Sequence, residues 1–191
     1  ASCREESRQS PLPTTMNTRR PTVLLTGATG YIASHTWLAL QAAGLRVIGL
    51  DDFSNSSPEV LVRLERLSGL RPEFERVDVC DTGALERVFA AERVDAVVHF
   101  AAFKAVGESS AKPLEYYRNN IGGLVALART MQRHDCRRLV FSSSATVYGQ
   151  PEKLPITEDA PLSTTNPYGA TKLMGENILR DLERSEPGWG I

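Results

Sequence analysis

The sequence is poor in cysteine and histidine, and their spacing excludes two kinds of stabilising site. Cys3, Cys80 and Cys136 are odd in number and widely spaced, with no CxxC pair. We therefore expect neither a disulfide framework nor a zinc site. The three histidines form neither an HxxxH nor an HExxH spacing, which argues against a metal centre of any kind. Isolated thiols suit a reducing compartment, and we expect a cytoplasmic protein.

Long apolar runs and an excess of charge of one sign are also missing. No stretch approaches the roughly 20 apolar residues of a membrane span, so we expect no membrane partner. The 191 residues carry 22 Lys and Arg against 23 Asp and Glu. This balance gives no reason to expect a nucleic acid partner. With 41% hydrophobic residues, the composition is that of an ordinary globular domain.

The first 20 residues differ from the rest of the chain. They are rich in Ser, Arg, Pro and Thr and contain no apolar run, so they do not form a secretory signal. We expect residues 1–20 to be a disordered extension and residues 21–191 to form one domain.

From Thr22 onward, apolar strand-like runs alternate with segments of helical periodicity. Strands are predicted at 22–26, 46–50, 74–79, 95–100 and 139–142, and helices at 31–43, 58–67, 82–92, 113–133 and 167–184. Such alternation is typical of parallel strands joined by crossover helices, and continuous apolar strands indicate a sheet covered on both faces. The expected fold is a doubly wound α/β domain of the Rossmann type. A sixth strand would begin at Trp189–Ile191.

The turn after the first predicted strand has the pattern of a phosphate-binding loop. Gly27, Gly30 and Ala33 form a GxxGxxA spacing. There the first glycine permits a tight turn, the second lets the backbone approach a pyrophosphate, and the third small residue allows close helix packing. Asp51 follows the second strand, 24 residues after Gly27. Its carboxylate could bind ribose hydroxyls and would repel a 2′-phosphate, which favours NAD over NADP.

A second pattern lies near the end of the chain. Tyr168 and Lys172 are four residues apart, so they share one helix face, where the ammonium favours the phenolate form of Tyr168. Ser144 follows the fifth strand, at the sheet edge where parallel α/β proteins bind their ligands. The three side chains could surround one substrate oxygen, with Tyr168 as the base.

Together these residues resemble the extended short-chain dehydrogenase/reductase family, and within it the N-terminal part of the 4-epimerases of UDP-hexoses. The resemblance runs from Val23 to the end of the chain. It is carried by TGATGYIASH (26–35), LDDFSNSS (50–57), HFAAFKAVGESSAKPLEYYRNN (99–120), FSSSATVYG (141–149) and NPYGATKLMGE (166–176). The sequence departs from the family pattern at Ala33 and Ala102, which stand where glycine is usual. Both residues are small, so we expect them to be tolerated.

The resemblance implies a role for each matching residue. Ser144, Tyr168 and Lys172 would form the catalytic set, and Lys104, Ser144 and Tyr168 would contact the UDP-sugar substrate. The residues implied to bind the cofactor NAD are Gly27, Gly30, Tyr31, Ile32, Asp51, Asn55, Ser56, Asp78, Val79, Phe100, Ala101, Ala102, Lys104, Asn119, Tyr168 and Lys172.

The implied activity is interconversion of UDP-glucose and UDP-galactose through a 4-keto sugar, as in galactose metabolism. An epimerase of an N-acetylated or uronic UDP-sugar and a catalytically silent NAD-binding module remain alternatives. Sugar-nucleotide dehydratases carry an Asp-Glu pair as extra acid and base where this chain has Ala145-Thr146, so elimination of water lacks its residues here. The resemblance also implies that the chain is an incomplete domain without its C-terminal substrate domain, inactive alone. The full-length parent would form a homodimer through the helices at 113–133 and 167–184.

Overall fold

The computed structural model describes residues 19–151 and 153–191. The disordered extension predicted at 1–20 therefore lies, apart from its last two residues, outside the described part. No described helix has the length and apolar content needed to cross a membrane.

A single five-stranded parallel sheet forms the centre of the molecule, in the order β3-β2-β1-β4-β5. This order confirms the doubly wound fold, because the chain moves outward from β1 in one direction and then crosses over to continue from β4 in the other. The strands are β1 Thr22–Thr26, β2 Arg46–Asp51, β3 Glu73–Arg76, β4 Ala96–His99 and β5 Leu139–Phe141.

Helices cover both faces of this sheet. The α-helices are α1 Tyr31–Ala42, α2 Glu59–Ser68, α3 Thr82–Ala91, α4 Val106–Ala111, α5 Pro113–Tyr116, α6 Gly123–Arg133 and α7 Pro167–Ser185. A π-helical turn at Tyr117–Gly122 joins α5 to α6, and a 3₁₀ turn occupies Ala145–Tyr148.

The sequence-based boundaries are wrong at several places. The helix predicted over 113–133 is interrupted by the π turn, because apolar periodicity cannot reveal one wider turn within a longer helix. The strand predicted over 74–79 ends at Arg76, since the chain then turns toward α3. The helix α4 and the 3₁₀ turn were not predicted, since both are too short for a periodic pattern.

The core has two layers because successive residues of a strand point to opposite faces of the sheet. All five residues of β1 are buried. Leu24 belongs to the layer formed with α3, α6 and α7, whereas Leu25 packs with Trp37 of α1 in the other layer. The carboxyl end of β1 is thereby held between helices on both sides, which fixes the loop that follows it.

The segment at the end of the chain lies beside β5. Gly190 forms a parallel bridge with Arg138, and the Leu139 amide donates to the Gly190 carbonyl at 2.9 Å. Trp189 is buried in the core layer. This agrees with the prediction of a further strand beginning at Trp189–Ile191.

Candidate active site

A cleft of about 500 Å³ opens at the carboxyl ends of the strands. The loops after β1 and β4, which are neighbours in the sheet, lie at its centre. They leave the sheet toward opposite faces at this point, and such a switch point is where open α/β sheets bind their ligands.

Gly27 makes the first turn of the cleft possible. Its φ is +65°, and a Cβ at this position would lie 2.7 Å from the Ala101 backbone nitrogen. The backbone of the loop after β4 therefore occupies the space of a side chain. At Gly30, the N-cap of α1, there is no side chain to cap the helix. The amides of the first turn of α1 are thus available to an anion at the positive end of the helix dipole. Ala33 is buried behind them.

Asp51 ties two loops of the cleft together. One carboxylate oxygen accepts hydrogen bonds from the Phe53 amide at 2.8 Å and the Ser56 hydroxyl at 3.2 Å. The other accepts from the Thr29 amide at 3.1 Å, while the Thr29 and Ser56 hydroxyls lie 2.6 Å apart. The glycine loop and the loop after β2 therefore hold each other in position, with Asp51 still lining the cleft.

The loop after β3 forms the far end of the cleft. Asp78 accepts a hydrogen bond from the Cys80 amide at 2.8 Å, which turns the chain sharply. Val79 is buried there against Gly123. A Cβ added to Gly123 would lie only 2.6 Å from the Val79 side chain. The start of α6 is thereby packed tightly against this end of the cleft.

The opposite wall is formed by the loop after β4 and by the π turn. Asn120, which is buried, accepts from the Phe103 amide at 2.8 Å and from the Asn119 side chain at 3.0 Å. Its own amide donates to the Phe103 carbonyl at 3.0 Å and to Thr171 of α7 at 2.9 Å. The four hydrogen bonds satisfy the side chain completely and connect three walls of the cleft.

Ser144, Tyr168 and Lys172 line one end of the cleft together. Ser144 caps the 3₁₀ turn, accepting from the Thr146 amide at 3.2 Å and from its hydroxyl at 2.9 Å. Its own hydroxyl proton thus remains available for another acceptor. Tyr168 lies in the first turn of α7, which Asn166 caps by accepting from the Gly169 amide at 2.8 Å.

Two basic side chains at this end of the cleft, Lys172 in its lining and His99 next to it, are buried. Burial lowers the pKa of Lys172 to about 8. Burial, with a smaller contribution from the charge of Lys172, lowers the pKa of His99 to about 3. His99 is therefore neutral at ordinary pH and makes a 2.7 Å hydrogen bond with the Thr26 hydroxyl.

The structure brings every sequence-predicted site residue to this one cleft. The residues concerned are Gly27, Gly30, Tyr31, Ile32, Asp51, Asn55, Ser56, Asp78, Val79, Phe100, Ala101, Ala102, Lys104, Asn119, Ser144, Tyr168 and Lys172. The positions of these residues agree with the prediction of one shared site, and their individual roles stay predictions.

Several residues that shape the cleft were missed. Thr29, Asn120 and Glu176 act through hydrogen bonds to cleft residues, and Glu176 accepts from the Ser143 hydroxyl at 2.5 Å. The pair Asn119-Asn120 inside the predicted helix 113–133 was a usable signal, because a polar side chain among apolar helix positions needs hydrogen-bond partners wherever it is buried.

The switch-point cleft, its glycine turn and its Ser, Tyr and Lys side chains define a dinucleotide-binding domain of the Rossmann type. The chain belongs to the NAD dependent epimerase/dehydratase family, whose profile matches residues 23–189. This confirms the resemblance found in the sequence.

Three comparisons place the chain within that family. It is 53% identical over 173 residues to UDP-glucose 4-epimerase 2 of Oryza sativa subsp. japonica, covering 89% of this chain and 42% of the relative. It also matches the crystal structure of UDP-glucose 4-epimerase from Bifidobacterium longum in complex with NAD+ and UDP, at 50% identity and a TM-score of 0.87. The match covers 89% of this chain and 51% of that one. The UDP-Glc/GlcNAc 4-epimerase of Campylobacter jejuni matches at 35% identity and a TM-score of 0.83, and the match covers 87% of this chain and 50% of that one.

The chain thus spans about half the length of the relatives that it matches.

Proposed function

We propose that this chain is the NAD-binding part of a UDP-hexose 4-epimerase that interconverts UDP-glucose and UDP-galactose in galactose metabolism. The observation that carries the proposal is the meeting of Ser144, Tyr168 and Lys172 at one end of a nucleotide-sized cleft. The names of the relatives support the same substrate class.

The cleft fits a dinucleotide by the shape of its backbone. The positive φ of Gly27 turns the chain from β1 toward α1 while the Ala101 backbone packs against it. The start of α1, which no side chain caps, offers its amides to a pyrophosphate. Asp51 stands where it can accept from ribose hydroxyls. Tyr31 and Ile32 would lie along the pyrophosphate.

The remaining cofactor contacts follow the order of the cleft. Asn55 and Ser56 would hold the adenosine ribose beside Asp51, and Asp78 and Val79 would flank the adenine. Phe100, Ala101, Ala102 and Lys104 would line the dinucleotide, and Asn119 would lie near the nicotinamide.

The chemistry of the proposed reaction divides between the cofactor and the chain. When bound, NAD supplies a hydride acceptor that later returns the hydride to the same sugar carbon. Tyr168, as phenolate, takes the proton of the sugar 4-hydroxyl while the C4–H bond breaks, and a 4-keto sugar results. Return of the proton to the sugar oxygen, with a hydride delivered to the opposite face of C4, would complete an isomerisation without net oxidation.

Ser144 and Lys172 assist Tyr168 in different ways. The free proton of the Ser144 hydroxyl can be donated to the reacting sugar oxygen. The Lys172 ammonium would bind the nicotinamide ribose and favour the phenolate form of Tyr168. Ala145-Thr146 supplies neither of the acidic side chains that elimination of water would use, which argues against a dehydratase.

Two alternative functions differ from the proposed one, the first in the sugar that is epimerised and the second in having NAD binding without catalysis. The Campylobacter jejuni relative, whose name joins UDP-Glc and GlcNAc, supports an epimerase of an N-acetylated sugar, and a uronic sugar is the related case. A silent NAD-binding module would not need Ser144, Tyr168 and Lys172 together, and this favours the enzyme.

We also propose a homodimer of the full-length parent, formed by the helices α5, α6 and α7. Leu114 and Met174 are exposed on α5 and α7, whereas Leu124 of α6 is buried against the sheet. The helices thus have apolar residues left for a partner in addition to those used by the core.

The test joins residues 21–191 to the second half of the Bifidobacterium longum enzyme, in place of its own first half. We expect this chimera to interconvert UDP-glucose and UDP-galactose, and Tyr168→Phe to slow it by about 100-fold or more while NAD still binds. We expect the 191-residue chain alone to bind NAD without turnover.

Three results would separate the candidates. Turnover of UDP-N-acetylgalactosamine or a UDP-uronic acid in preference to UDP-galactose would favour the related epimerases. Bound NAD without turnover of any UDP-sugar by the chimera would favour the silent module. Turnover by Tyr168→Phe near the unmutated rate would show that Tyr168 is not the base.

A further inference from the structure

Lys104 lies between two residues whose backbones are held by side chains. On one side, both the amide and the carbonyl of Phe103 are bonded to Asn120. On the other side, the Ala105 amide donates to the Tyr116 hydroxyl at 3.0 Å. The proton of that hydroxyl is shared between the Ala105 carbonyl at 2.9 Å and the Glu108 carboxylate at 3.0 Å. The peptide groups flanking Lys104 are therefore fixed by contacts from the α5–π segment.

Tyr116 is well placed to hold the loop. Its ring is 1% exposed and meets the Phe103 ring edge-on, with 5.6 Å between centroids. Ala105 is the N-cap of α4 and has no polar side chain of its own, so the Tyr116 hydroxyl is the side-chain group that holds the Ala105 amide. Burial and the neighbouring Glu108 raise the pKa of Tyr116, so the hydroxyl keeps its proton.

Lys104 itself is exposed and lines the cleft. The other lysine of the cleft, Lys172, is buried and donates to the Ser142 carbonyl at 2.7 Å. Within the described ranges, the Lys104 ammonium forms no ion pair. An anionic group of a bound ligand is the natural partner for an exposed, unpaired ammonium at the wall of a cleft.

We propose that Tyr116 is a positioning residue, which fixes the backbone at Ala105 so that the Lys104 ammonium faces a diphosphate bound in the cleft. This rests on the proposed function, because that function supplies two diphosphates, one in the dinucleotide and one in the UDP-sugar. Nothing in the proposed reaction requires Tyr116 to touch either of them.

The first test removes one oxygen atom. Tyr116→Phe keeps the buried ring and loses the hydrogen bonds to Ala105 and to Glu108. Tyr117→Phe is the matched control on the next residue. Calorimetric titration of the 191-residue chain with NAD, and separately with UDP, shows which diphosphate Lys104 meets. We expect Tyr116→Phe to weaken binding of one of them about three- to tenfold, and Tyr117→Phe to change it less than about twofold.

The second test separates positioning from general loosening of the fold. If Tyr116 acts through Lys104, then Tyr116→Phe has no further effect in a Lys104→Ala background. Equal weakening in both backgrounds would overturn the proposal. Unchanged affinity for both ligands in Tyr116→Phe, or in Lys104→Ala, would also overturn it, although NAD binding by the unmutated chain would still support the proposed function.

A third measurement does not depend on ligand binding. In ¹H–¹⁵N spectra of the chain without ligand, Tyr116→Phe should shift the amide resonances of Phe103, Lys104 and Ala105, and Tyr117→Phe should leave them in place. If the unmutated chain binds neither NAD nor UDP, the proposed function fails and the contact of Lys104 with a diphosphate fails with it. Unshifted resonances overturn the positioning role of Tyr116 whatever the chain binds.

Discussion

The ammonium of Lys172 donates a 2.7 Å hydrogen bond to the carbonyl of Ser142, and so joins α7 to the end of β5. The same ammonium lies 4.8 Å from the centre of the ring of Phe141, the residue before Ser142. Ser143, the residue after Ser142, donates a hydrogen bond to Glu176 of α7. Three successive residues that lead to Ser144 are thus seated on the helix that carries Tyr168. The relative position of serine and tyrosine follows from this contact.

The burial of Lys172 predicts a dependence of stability on alkaline pH. Its pKa is about 8 in the folded chain and 10.5 ordinarily, so the folded state loses its proton first as pH rises. Stability from this group is then low below about pH 8 and is gained between about pH 8 and pH 10.5. Relative to Lys172→Met, the unmutated chain should gain about 2.5 kcal/mol between about pH 7 and pH 10.

Urea denaturation of both proteins across this range checks the prediction. The comparison cancels the titration of tyrosines and other lysines, which the two proteins share. Parallel curves of unfolding free energy against pH would show that Lys172 titrates as an exposed lysine does.

The neutral His99 predicts a loss of stability at acidic pH. Its pKa falls from 6.5 to about 3 on folding, so the unfolded chain binds a proton that the folded chain refuses. Stability is fully present above about pH 6.5 and is lost as pH falls toward about 3. By pH 5 the unmutated chain should lose about 2 kcal/mol more than His99→Asn, whose side chain can still bond to Thr26.

Thermal or urea unfolding at pH 7, 6 and 5 measures this loss. The window lies above the range in which most carboxylates titrate, so His99 dominates the difference. An identical pH dependence in the two proteins would mean that the pKa of His99 is the same in the folded and the unfolded chain.

Gly27→Ala should damage both folding and nucleotide binding. The left-handed backbone costs an alanine about 1–2 kcal/mol, and the added Cβ also meets the Ala101 backbone at 2.7 Å. The control is Gly69→Ala, because Gly69 has a φ of +71° and nothing within 4 Å of such a Cβ. In urea denaturation, both variants should show an unfolding free energy lower by about 1–2 kcal/mol, which is the cost of the left-handed backbone.

The two glycine variants should differ in everything beyond this backbone cost. We expect a further loss of about 1–3 kcal/mol in Gly27→Ala and at least about tenfold weaker NAD binding by calorimetry. Equal stability and equal NAD affinity in the two variants would show that the close approach to Ala101 is unimportant.

Much of the fold could be predicted because its signals are local. The strand Thr22–Thr26 was predicted with its observed bounds, since a buried β-branched run that ends in glycine has few other structures available to it. The helix at the end of the chain was predicted within one residue of its observed end at Ser185. Asn166 and Pro167 mark its start chemically.

The failures have the opposite cause. The π turn at Tyr117–Gly122 keeps the apolar spacing of an α-helix on either side, so the pattern is blind to it. The early end of β3 at Arg76 reflects the turn that Asp78 makes with the Cys80 amide, and this turn has no periodic signature.

The residue types and their spacing, taken alone, determined the order of strands and helices, the glycine turn at Gly27 and the pairing of Tyr168 with Lys172 on one helix face. These follow from backbone geometry over a few residues. The tertiary structure alone decided what holds the cleft in shape: Asp51 across to Thr29, Asn120 across to Thr171, and Tyr116 back to Ala105. The first and second join different elements and the third joins two ends of one segment, so each depends on distances that exist only once the helices have packed on the sheet.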